Sequence, residues 1–307
     1  MSFKEQKLKA NAAIIFACLL WGTTGTAASF TPSVSPLATG AFAMGLGGLL
    51  LVFTSLKHLK IDSVKLLSHY PLLIVGGLSV AVYPLAFYSS MRLSGVAIGT
   101  VVSLASAPFF TVLLECLISN KSVAKKWFIS FAIGALGIVL LSMGKLDDIQ
   151  QQTQNLHHYF GITLGLLAGL SYALYSWVAK SMIDRNIHSK SAMAAMFGLA
   201  ALILLPSLFV TGDNLFASTS NTFVAFYMAI IPMFLGYVLF GYGLNYVEAS
   251  QATLLTLLEP ALATIMAVVI VGEKFSVIGW LGIGLILLCL LLQLTNKPSI
   301  PQPQAAI

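Results

Sequence analysis

The stretch SQATLLTLLEPALATIMAVVIVG, residues 250–272, decides the fold. It is apolar for long enough to cross a bilayer, yet it carries a carboxylate and a proline at its centre, Glu259 and Pro260. A hydrocarbon core about 30 Å thick takes about 20 apolar residues as a helix. An earlier stretch, VAIGTVVSLASAPFFTVLLECLI at residues 96–118, can be laid over it by setting Pro108 on Pro260. Asn120-Lys121 then falls over Gly272-Glu273. One membrane helix with a copy of itself elsewhere in the chain points to a duplicated membrane protein.

Working outward, runs of the same kind recur through the 307 residues, of which 58% are hydrophobic and 8% charged. The hydropathy predicts ten transmembrane helices, at residues 12–30, 36–56, 70–92, 96–118, 126–143, 160–182, 191–210, 222–244, 250–272 and 276–294. They consume the chain, leaving no room for an extramembrane catalytic domain. The first run is flanked by polar residues and has no small-residue cleavage site, so it reads as a retained helix. The expected class is an all-α integral membrane protein. Its repeats are 11–144 and 159–294, followed by a short cytoplasmic tail, 295–307, with Pro298, Pro301 and Pro303.

Five helices is an odd number, so the second copy must enter the membrane from the opposite side. The two five-helix repeats are therefore inverted, an arrangement typical of secondary transporters, whose site lies near the midplane between repeats. Lysine and arginine near helix ends stay on the cytoplasmic side. With both termini cytoplasmic, all of the 16 basic residues except Arg92, Lys145 and Lys274 fall on that side. The net charge of +6 thus reports orientation, and no nucleic-acid partner is needed to explain it.

Three segments carry a family resemblance: LLWGTTGTA at 19–27, YSSMRLSGVAIGTVVSLASAPFF at 88–110, and GYGLNYVEASQATLLTLLEPALATIMAVVIVGEKFSVIGWLGIGLIL at 241–287. Over nearly its whole length the chain resembles the drug/metabolite transporter superfamily, specifically the ten-helix EamA-type exporters. The resemblance implies a multi-pass protein of the bacterial inner membrane that moves a small solute, often an amino acid or another metabolite, outward. It names no solute.

Charge inside the membrane narrows the candidate site. A charge at the bilayer centre costs roughly 2.5–3.5 kcal/mol on insertion scales and is seldom kept without a use. Glu259, nearest a midplane, could bind a substrate ammonium or carry a coupling proton. Glu115, about a turn from the cytoplasmic end, is the second proton-coupling candidate, or simply reaches the interface or pairs with Lys121. A structural reading of Glu259 is a protonated carboxyl bonded to a neighbouring helix. Pro108 and Pro260 are the expected helix-break or gating positions, because proline removes a backbone hydrogen bond and frees a carbonyl. Either could equally be a packing kink.

Trp21, Tyr83, Tyr172, Tyr237 and Asn245 lie on the first, third, sixth and eighth helices, which line the central cavity in the family this chain resembles. With Ser103 they complete the candidate solute-binding set. Tyrosine and tryptophan combine an apolar body with a polar tip, suited to amphiphilic solutes. They also anchor helices at the interface, the role expected of Tyr88, Trp177, Tyr242 and Tyr246.

Other chemistry finds no support in the residues. Cys18, Cys116 and Cys289 lie unpaired in apolar runs, and no phosphate loop, metal-ligand pattern or nucleophile elbow appears. The sequence therefore predicts no enzyme, cofactor or metal; its partners are a small-molecule solute, the lipid bilayer and protons, and the protein is a monomer or homodimer. Export of an amino acid or similar metabolite by alternating access is the leading expectation. An importer or exchanger, or a non-transporting accessory membrane protein, remains open beside it.

Overall fold

The computed structural model describes residues 3–143, 156–272 and 276–294. Ten helices are long and apolar enough to cross a membrane: α1 Lys4–Ser29, α2 Pro36–Ser68, α3 Tyr70–Ser94, α4 Ile98–Leu117, α5 Lys125–Met143, α6 Leu156–Asp184, α7 Ser189–Thr211, α8 Thr219–Gly243, α9 Ala249–Ile270 and α10 Val277–Leu294. No strand occurs among the described residues. Large apolar side chains such as Phe53, Leu202, Phe209 and Leu291 face outward, as a lipid-exposed surface requires. The expected tail lies outside the described residues.

Helix α2 runs twelve residues past the expected end at 56, through Ser68. The extension carries exposed Lys57, Lys60 and Lys65, good helix formers that continue the helix beyond its apolar part. Hydropathy locates the lipid boundary, and backbone propensity decides where a helix stops.

The helix contacts repeat on exchange of the two halves. Helix α3 packs on α6 and α8 on α1; α4 packs on α6 and α9 on α1; α3 packs on α7 and α8 on α2. Two further pairs, α2 with α7 and α5 with α10, map onto themselves. Chain ends repeat as well: Asn120 after α4 and Gly272 after α9 both take positive φ, 51° and 80°. Because each half crosses five times, this two-fold relation turns one half upside down on the other.

The self-related contacts are close enough to exclude a side chain. A Cβ on Gly282 would lie 2.5 Å from the Leu141 backbone nitrogen, and one on Gly48 would lie 2.5 Å from the Phe197 carbonyl oxygen. Small residues let the backbones of α5 and α10, and of α2 and α7, meet where lipid gives helices no hydrophobic reason to associate.

Two helices of the second half are irregular. Helix α8 winds as a π-helix over Ala229–Leu235, around Pro232. Helix α9 breaks between Ala249–Leu255 and Leu258–Met266, at a turn through Thr256 and Leu257. Thr256 is four residues before Pro260, whose ring crowds that carbonyl and has no N–H to give it. The Glu259 N–H takes the Thr256 carbonyl instead, at 3.0 Å. Pro108 does not act alike, for α4 runs through it without interruption.

Candidate functional site

The break in α9 puts Glu259 in the first turn of its second half, where a carboxylate complements the helix dipole. Gly22 of α1 admits α9 closely, since a Cβ there would stand 3.1 Å from the Leu262 Cβ. Glu259 therefore meets the aromatic side chains of α1 and α3 around a central cavity with two compartments.

The inner compartment, of about 60 Å³, is lined by Trp21, Tyr83, Tyr88, Tyr172, Tyr175, Tyr237 and Glu259, with Gly40 and Met44 from α2. The outer one, of about 340 Å³, shares Trp21, Tyr88 and Glu259 and continues along Ser29, Met91, Thr100, Ser142 and Ala267. Those last residues sit at the end of α1, α3, α5 and α9 and the start of α4, all on the face opposite the N-terminus of α1. The cavity thus reaches one face of the bundle only.

Its walls are held by bonds that use up polar groups. The Trp21 indole N–H donates to the Pro232 carbonyl at 2.9 Å, and the Tyr172 hydroxyl donates to Thr256 Oγ1 at 2.9 Å. Tyr175 and Tyr237 share a hydrogen bond at 3.1 Å. Thr24 donates to the Trp21 carbonyl at 2.7 Å. Rings pack in series: Tyr83 is tilted against Tyr172 with centroids 5.4 Å apart, and Tyr172 stacks on Tyr175 at 5.1 Å. By contrast, the Glu259 carboxylate has no hydrogen bond or ion pair to any described residue. Lysine, arginine and histidine are missing from the described lining of both compartments.

Tyr237 also forms the floor. Beyond it lies a separate space of about 120 Å³ between α2, α7 and α8, lined by Ser55, Ser189 and Lys190. Past that space the N-terminal face is closed by polar ties between the halves. Lys121 bonds Asp184 at 3.1 Å and Glu248 at 2.5 Å, and within α6 Lys180 pairs with the same Asp184 at 2.8 Å. Burial works against the Lys121 charge, but the Glu248 and Asp184 carboxylates outweigh it and hold the ammonium above the usual lysine range. Asp62 of α2 accepts the His188 N–H at 3.0 Å, and the Lys65 ammonium donates to the Asn186 carbonyl at 2.7 Å. Asn11 joins Gln251 at 3.2 Å.

Of the residues singled out in the sequence, Glu259, Trp21, Tyr83, Tyr172 and Tyr237 come together at the cavity, and Pro260 lines its outer part. Asn245 does not: its amide donates to Ser189 Oγ at 3.0 Å and to the Tyr242 carbonyl at 3.0 Å, on the closed face. Ser103 is fully buried on α4 against α6, where the Cβ position of Gly169 is 2.7 Å from its carbonyl oxygen. Pro108 lies in the unbroken α4, away from both compartments. Glu115 is buried rather than at the interface, and its carboxylate makes no ion pair with Lys121 among the described residues, although the Lys121 backbone N–H donates to the Glu115 carbonyl at 3.0 Å; the carboxylate accepts the Ser250 N–H at 3.0 Å, capping the start of α9.

Tyr88, expected as an interface anchor, faces both compartments. It fits because Gly40 has no side chain; a Cβ there would be 2.5 Å from Tyr88 Cε2. Trp177 is buried too, its indole donating to Ser119 Oγ at 2.9 Å. The contribution of α2 to the lining, through Gly40, Ala43 and Met44, has no polar signature that sequence reading could have used.

A ten-helix bundle of two inverted halves, enclosing a cavity open to one face around a half-buried carboxylate within the membrane span, defines the class of membrane carrier proteins. The sequence profile of the EamA-like transporter family matches residues 8–143 and again residues 159–295, so the chain belongs to that family. It is 30% identical over 282 residues to an uncharacterized transporter of Bacillus subtilis, YwfM, covering 91% of each chain. It is 25% identical over 306 residues to an uncharacterized inner membrane transporter of Escherichia coli, YedA, covering 97% of this chain and 94% of that one. A solved crystal structure shares the fold, with a TM-score of 0.76 and 17% identity over 92% of this chain and 95% of that one. The protein is a multi-pass membrane transporter.

Proposed function

We propose that this transporter exports an amino acid or similar small organic metabolite across the bacterial inner membrane by alternating access, with repeats 11–144 and 159–294 rocking about the central cavity. One observation carries the reading: the cavity reaches a single face and ends on the Tyr237 floor, while ionic ties between the halves close the other face. The bias of basic residues supports a cytoplasmic N-terminal face, and on that orientation the state described faces outward. Return to the inward-facing state requires the Lys121 ties to part and the Tyr175–Tyr237 contact to open.

Glu259 is the substrate-binding carboxylate in this scheme, and Trp21, Tyr83, Tyr172 and Tyr237 enclose the solute. Protons are the proposed coupling ion, taken up at Glu259. The bond from Ser250 to Glu115 favours a structural role for that residue.

Proteoliposome counterflow with a mixed pool of amino acids and common metabolites, with and without a pH gradient, tests the reading. Selective movement of a solute, lost in Glu259→Ala with membrane expression intact, is expected. An inert, folded protein would overturn the proposal.

A further inference from the structure

Resting on the transport reading, the chemistry of the cavity narrows the solute further than its size does. We infer that, of the small organic metabolites the transport reading allows, the site takes organic cations, amines without a carboxylate, in preference to the zwitterionic amino acids they resemble, which narrows the solute to the metabolite side of that reading.

Glu259 lines both compartments and has no hydrogen-bond or ion-pair partner among the described residues. A charge kept in so apolar a surrounding calls for a counter-ion, and none of the described lining residues supplies one. The rings of Trp21, Tyr83, Tyr88 and Tyr172 stand in the same space. Aromatic faces attract ammonium groups, and more strongly when water is excluded.

A solute carboxylate meets the opposite conditions. With its ammonium on Glu259, an amino acid would hold its own carboxylate one carbon away, repelled by the same side chain in a medium that screens poorly. Most donors that could compensate are already engaged: Trp21 with Pro232, Tyr172 with Thr256, Tyr175 with Tyr237 and Thr24 with the Trp21 carbonyl. The hydroxyls of Tyr83 and Tyr88 remain, with that of Thr26 in the outer compartment, and each can accept from an ammonium as readily as it donates.

Three probes sharing one ring separate the charge classes: phenethylamine, phenylalanine and 3-phenylpropionate. Binding to the purified full-length protein in detergent is read by tryptophan fluorescence and calorimetry, and flux by counterflow in liposomes. Phenethylamine should bind at least tenfold more tightly than phenylalanine, with 3-phenylpropionate weakest, and Glu259→Gln should erase the preference. Equal or tighter binding of phenylalanine by wild-type protein overturns the inference without recourse to any variant. If Glu259→Gln does not fold, Glu259→Asp must keep the amine preference, and its loss there counts against the charge pairing. Amine binding with no flux of any pool solute would uphold the charge selectivity and sink the transport reading. Flux of another solute without amine binding would do the reverse.

Discussion

The indole N–H of Trp21 in α1 donates to the carbonyl of Pro232, 2.9 Å away in the π-helical segment of α8. This bond crosses between the halves and sets one wall of the cavity, with the Trp21 and Tyr237 rings 5.0 Å apart. Gly236 makes room for it, because a Cβ there would stand 2.5 Å from Trp21 Nε1.

Gly236→Ala should therefore displace the indole. The lost hydrogen bond is worth about 1 kcal/mol of stability, and solute binding should weaken several-fold as the wall shifts. A blue- or red-shift of the Trp21 emission, in a variant with the other three tryptophans replaced by phenylalanine, reports the displacement. An unchanged spectrum would show that the indole tolerates the methyl group.

Tyr237 lines both the cavity and the space bounded by Ser189 and Lys190, and stands between them. Tyr237→Ala should join the two and allow a leak. Liposomes carrying the variant should equilibrate solute faster than wild type while losing selectivity, and a flux slower and equally selective would contradict the floor assignment.

Lys121 holds Asp184 and Glu248 together on the N-terminal face. Lys121→Ala should shift the population toward the state open on that face. Ser189→Cys, in a background lacking Cys18, Cys116 and Cys289, should then react with a membrane-impermeant maleimide several-fold faster from that side. A rate equal to that of the Lys121-containing protein would show that the ion pairs do not hold the face shut.

His188 caps the start of α7 with its ring 4.2 Å from that of His58. Burial, the neighbouring His58 and Lys190 pull its pKa below the usual 6.5, against the opposing pull of Asp62. A histidine whose folded pKa is depressed favours the fold when neutral, so this contribution is complete above pH 6.5 and is lost as pH falls through the lower folded value. Detergent-solubilised protein should melt at a lower temperature below about pH 6, and His188→Gln should flatten that part of the profile. Identical profiles for the two proteins would remove His188 from the account.

Overpacking tests the inverted-repeat core. Gly282→Leu would drive a side chain into the Leu141 backbone and cost about 1–3 kcal/mol. A melting temperature unchanged in the same detergent would mean that α5 and α10 can separate there without cost.

The residues singled out in the sequence that line the cavity share one property: they are polar or aromatic groups deep inside apolar runs. Glu259, Tyr83, Tyr172 and Tyr237 stand out against their neighbours for that reason. Tyr88 and Trp177 did not, because distance from a span's end is a poor measure of depth when helices extend beyond the lipid. Asn245 and Ser103 are polar within helices too, yet one serves a helix end and the other a helix contact, a distinction set by which face of the helix meets which neighbour.

The amino-acid sequence by itself determined the ten membrane helices, their division into two copies and the inversion between them. Bilayer thickness fixes helix length, and an odd number of crossings fixes the relative sense of the repeats. Only the tertiary structure decided that Pro260 breaks its helix while Pro108 does not, that Glu115 caps α9, and that Gly40 clears a place for Tyr88. Each depends on contacts between residues far apart in the chain, and hydropathy, which sums over neighbours in sequence, carries no record of them.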